Sequence, residues 1–187
     1  MLDKMCNNFV SQNKANKMKK YLILMLFILF AGCSAKNTSI AAKHNKSYKK
    51  YHNFIINAES RATPAARKVM SIIRHMVESR EVIRGACWDY LNLGFTRAGY
   101  SHAKRTIAYK SRKSGPYVSV DRIQTGDWLY HINHSYHGIE HSGMFIGWID
   151  YSRKIGLTLS YAGEGRAEPA RYRAYNLSSV YHIMRAE

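Results

Sequence analysis

The chain has 187 residues, with 29 Lys and Arg against 12 Asp and Glu, and a formal net charge of +17. That length suits one domain, or two only if both are small. Apolar residues at 46% and aromatics at 12% exclude wholesale disorder, and three cysteines as far apart as Cys6, Cys33 and Cys87 exclude a disulfide framework and a Cys-rich zinc site.

The N-terminus decides what the charge means. Met18, Lys19 and Lys20 precede an apolar run, Tyr21 to Phe30. The run is too short for a bilayer-spanning helix, which needs about 20 residues, and has the shape of a secretory signal. It ends in Phe30-Ala31-Gly32-Cys33-Ser34, which resembles a bacterial lipobox. That resemblance implies that Cys33 becomes the lipidated first residue of the mature protein. Residues 1–32 are thus expected to be a signal peptide with an upstream extension, 33–62 a lipidated Cys with a basic tether, and 63–187 the folded domain. Five lysines and one aspartate lie in 1–32, so the remainder keeps a net charge of +13. Export removes nucleic acid as the expected partner and leaves lipid head groups and acidic cell-wall polymers. The expected location is the cell envelope, anchored to a membrane and facing the periplasm or the outer surface.

Beyond the tether, Thr63-Pro64 supplies an N-cap and a proline at the first helical position. Ala65, Val69, Ile72, Ile73, Met76 and Val77 then recur at helical spacing, which predicts a helix over about 64–79. After Gly85-Ala86, a second periodic stretch holds Cys87, Leu91, Gly94, Phe95 and Ala98, with Gly99 where a C-terminal cap belongs. Residues 101–120 read as a polar excursion. After Gln124-Thr-Gly-Asp127 the pattern changes to strands at Trp128–Asn133, Ser142–Ile149, Gly156–Ala162 and Val180–Arg185. Helices first and an antiparallel meander after them is an α+β pattern.

Cys87 is the one cysteine left free in the mature chain, and it opens a helix. There, free N–H groups and the macrodipole favour an anionic sulfur, the arrangement of a cysteine nucleophile. A buried small hydrophobe is the plainer alternative. A nucleophile needs a base. Of nine His, His141 is best placed, opening the strand His141-Ser-Gly-Met-Phe-Ile-Gly-Trp148. His131, His134 and His137 stand near it, but their spacing is irregular for zinc and no carboxylate motif accompanies them.

Gly85-Ala-Cys87-Trp, Gly99-Tyr, Gln124-Thr-Gly-Asp127-Trp-Leu-Tyr and His141-Ser-Gly-Met-Phe-Ile-Gly147 together resemble the NlpC-type cell-wall cysteine peptidases of the papain-like superfamily, over roughly residues 64–187. The resemblance implies helices packed on an antiparallel sheet, Cys87 as nucleophile and His141 as general base. The family's third residue is usually His; here that place falls on Tyr161, with Ser160 adjacent and Glu164 further on. Trp88 and Arg166 are candidate substrate contacts, with Arg171 and Arg173 as further cations. The expected activity is hydrolysis of amide bonds in peptidoglycan stem peptides or cross-links, with no cofactor and no metal. The alternatives are a cysteine acyl hydrolase or amidase acting on another substrate, and a non-catalytic envelope-binding lipoprotein on the same scaffold.

Overall fold

The computed structural model describes residues 46–187, and the expected signal sequence and Cys33 lie outside them. The first described element is a helix, α1, covering residues 46–61. This corrects the reading of 34–62 as a tether, at least from residue 46 onward. Lys46, Lys49 and Lys50 do face solvent, but Ile55 is 1% exposed, and Tyr48, Tyr51, Phe54 and Ala58 pack against the core. A basic surface had masked an apolar stripe at helical spacing.

Helix α2 spans Pro64–Glu78. Thr63 caps it by accepting a hydrogen bond from the Ala66 N–H (3.2 Å), and Pro64 sits where no intrahelical donor is needed. It buries Ala66, Val69, Met70, Ile73, Met76 and Val77. Arg74 ties α2 to α1, reaching Glu59 at 2.9 Å, and also pairs with Glu78 at 2.9 Å. Helix α3 spans Cys87–Arg97 and buries Tyr90, Leu91, Gly94 and Phe95. Gly94 lets α3 approach α2 closely, because a Cβ there would stand 2.3 Å from Ile73 Cγ1. Among the described residues no helix is long and apolar enough to cross a membrane.

Six strands follow: β1 Arg105–Lys110, β2 Trp128–Asn133, β3 Ile139–Asp150, β4 Ile155–Ser160, β5 Arg171–Asn176 and β6 Val180–Ala186. They form one antiparallel sheet in the order β1-β6-β2-β3-β4-β5. The α+β pattern therefore holds. Two strands were not expected: β1 lies inside the supposed excursion 101–120, and β5 follows the turn at 163–169. Both are sheet edges.

The period of two along each strand sends alternate residues to two different cores. Met144, Ile146, Leu157, Leu159, Tyr161 and Trp128 meet the helices. Leu129, Phe145, Tyr175, Leu177, Val180 and Ile183 form a second cluster, which Val118 and Ile123 help to cover.

Candidate active site

The turn before α3 sets where Cys87 stands. Gly85 adopts φ +107°, and a Cβ there would overlap the Asp89 carboxylate at 2.3 Å. That carboxylate accepts a hydrogen bond from the Ala86 N–H (2.7 Å), half of a capping box. Gly85 O in turn accepts from the Glu164 N–H (2.8 Å), which brings the loop after β4 against the turn before Cys87. The first-turn N–H groups of α3 have no carbonyl partner within the helix.

His141 is the third residue of β3, not its first, since the strand begins at Ile139. Its Nε2 lies 2.8 Å from Ser160 Oγ at the end of β4. Ser160 Oγ lies 3.0 Å from the Tyr175 hydroxyl on β5. Cys87, His141, Ser160 and Tyr175 all line one cavity of about 260 Å³, together with Ala86, Tyr161 and Arg166.

The two residues aligned with the third position part company here. Successive residues of a strand face opposite ways, so Ser160 joins His141 while Tyr161 turns toward the helices. The Tyr161 hydroxyl donates to Ile83 O (2.6 Å) and accepts from the Ile83 N–H (3.2 Å), and its ring stacks on Tyr90 with centroids 4.7 Å apart. Tyr161 borders the cavity, yet its hydroxyl is committed to the segment between α2 and α3. Glu164 is exposed. Tyr175 lies on a strand that the sequence does not predict, and there it reads only as a sheet-packing aromatic.

Burial, together with repulsion of the imidazolium by Arg173, lowers the pKa of His141 to about 4. His131 faces His141 edge-on across the β2–β3 ladder, with ring centroids 5.6 Å apart. It is fully buried, neither ring nitrogen has a partner among the described residues, and burial lowers its pKa to about 3. His134 and His137 sit in the hairpin turn between β2 and β3. Among the described residues no three His, Cys, Asp or Glu side chains converge to hold a metal.

Trp88 is not among the residues lining this cavity. It is 39% exposed and packs on Trp128 with centroids 5.7 Å apart. Arg166 does line the cavity, with Arg171 and Arg173.

A thiol and an imidazole that is hydrogen-bonded to a hydroxyl thus line the same cavity. No protein-family model, no curated protein and no solved structure matches the chain.

Proposed function

We propose that this is a cysteine hydrolase with a papain-like, NlpC-type fold that cleaves amide bonds in peptidoglycan stem peptides or cross-links. The observation that carries the reading is that Cys87 and His141 line one cavity, with Ser160 Oγ 2.8 Å from Nε2 of the imidazole. The apolar run before Cys33 supports a lipid-anchored protein of the cell envelope.

In the working tautomer, Nε2–H of His141 donates to Ser160 Oγ and leaves Nδ1 free as the base. Nδ1 takes the thiol proton, and the Cys87 sulfur attacks the scissile carbonyl. First-turn N–H groups of α3 stabilise the oxyanion. The amine leaves with the proton from His141, forming a thioester. Water, deprotonated by the same imidazole, then hydrolyses that thioester and restores the thiol.

The full-length protein, incubated with purified peptidoglycan, is expected to release fragments whose masses report amide cleavage. Cys87→Ala should release none. Ser160→Ala should slow release about tenfold, equivalent to one orienting hydrogen bond of about 1.4 kcal/mol. Tyr161→Phe should lower stability while leaving turnover within about twofold. Equal release by the parent and Cys87→Ala would sink the reading.

A further inference from the structure

The cavity holding Cys87 has a strongly one-sided charge. Arg166, Arg171 and Arg173 all line it, and the one acidic residue in its wall is Glu140. Glu140 is already engaged, by Lys113 at 2.7 Å and by the Tyr181 hydroxyl. Arg171 is paired with Glu168 at 3.0 Å. Arg166 and Arg173 have no carboxylate partner among the described residues.

Unpaired arginines are unremarkable on a protein with this excess of cations. These two, although exposed, each lie against an aromatic ring in the cavity wall. The Arg166 guanidinium lies 5.9 Å from the Tyr136 ring centroid and donates to the Tyr136 hydroxyl at 3.3 Å. The Arg173 guanidinium lies 5.6 Å from the centroid of Tyr175, the residue behind Ser160. Stacking on an aromatic face restricts a guanidinium without using up its donors, so less entropy is lost when it meets an anion. The forked N–H groups match the two oxygens of a carboxylate. At about 260 Å³ the cavity is near the lower end of small-ligand pockets, which suits one acidic residue rather than an extended polymer.

We propose that Arg166 and Arg173 form a carboxylate-recognition site beside Cys87, so that the preferred amide substrates carry a free carboxylate next to the scissile bond. As a statement about substrate this rests on the hydrolase reading above, but the site itself can be tested without turnover.

Iodoacetate and iodoacetamide both alkylate a thiolate by the same displacement, in which the carbon–sulfur bond forms as iodide leaves. They differ in the carboxylate. On the full-length protein, with labelling at Cys87 quantified by peptide mass, the iodoacetate-to-iodoacetamide rate ratio is expected to exceed that of a small free thiol by about tenfold. Arg166→Gln with Arg173→Gln should bring the ratio down to the free-thiol value. The same positions changed to Lys should keep part of the excess. Arg153→Gln with Lys154→Gln, an equal change of charge on the exposed β3–β4 turn, should leave it unaltered.

A free-thiol ratio in the parent, or a ratio unchanged in the double Gln variant, overturns the proposal. So does failure of both reagents to reach Cys87, because a cavity closed to a two-carbon acid admits no larger one. Peptide substrates then locate the carboxylate, with Glu against Gln side chains in one arm and free against amidated C-termini in the other. Equal rates in both arms also overturn the proposal. An arginine-dependent labelling ratio with no peptide cleaved would uphold the carboxylate site and defeat the hydrolase reading.

Discussion

His131 shows most sharply what a single residue contributes. An imidazole buried without partners is destabilising, because both ring nitrogens lose water and gain nothing in return. Its pKa lies near 3 and that of His141 near 4, in each case mainly through burial. Both stay neutral when folded, whereas in the unfolded chain each takes up a proton near its ordinary pKa of about 6.5. Between those values the unfolded state binds more protons, so stability rises with pH there. The contribution is complete above about 6.5 and is lost as pH falls toward 4 and then 3. The urea midpoint of the parent is therefore expected to drop between pH 7.5 and pH 5. His131→Phe should raise the midpoint at pH 5 and make that drop shallower. A parent midpoint that does not change over this range would contradict the assignment of buried neutral imidazoles.

Among the elements, α1 carries the clearest test. Ile55 is buried against the core, so Ile55→Ala is expected to lower stability by about 3 kcal/mol, read from urea unfolding of the full-length protein. A mobile tether would show no change. The same helix explains what the sequence hid. Residues 48, 51, 54, 55 and 58 keep a helical period, but the lysines among them dominate the composition. The edge strands failed for a different reason. Ile107 on β1 is more than half exposed, and β5 alternates irregularly, burying Tyr172 and Tyr175 but neither residue between them. An edge strand has one neighbour and little burial to impose a period of two. Where burial was strong the pattern was legible: α2, the start of α3 at Cys87 and all of β2 could be read directly. The start of α3 could be read down to the residue, and with it the position of Cys87. The choice between Ser160 and Tyr161 could not, because it depends on which face of β4 looks toward His141, and only register with β3 and β5 settles that.

Across the whole molecule, one ion pair joins distant parts of the chain. Asp127, in the Thr-Gly-Asp turn that launches β2, is fully buried. It receives two hydrogen bonds from Arg185 on β6, at 2.7 and 2.9 Å, and one from the Gln124 N–H at 2.8 Å. Asp127→Asn would leave the mostly buried Arg185 only the Glu187 carboxylate as a counter-charge, 3.9 Å away and more than half exposed. The expected loss is about 3 kcal/mol, the low end for breaking a buried pair, measured as a fall in urea midpoint. Retention of full stability would show that water solvates Arg185 well enough to replace the pair.

The strand order places β6, the latest of the six in sequence, between β1 and β2 in the interior of the sheet. A polypeptide cut or stalled before Val180 already contains Cys87, His141 and Ser160. It lacks the strand that joins β1 to β2, and with it the partner of Asp127. Such a fragment holds a thiol and an imidazole with no rigid platform to bring them together. The sheet that carries His141 and Ser160 is thus complete only when the last strand has been made.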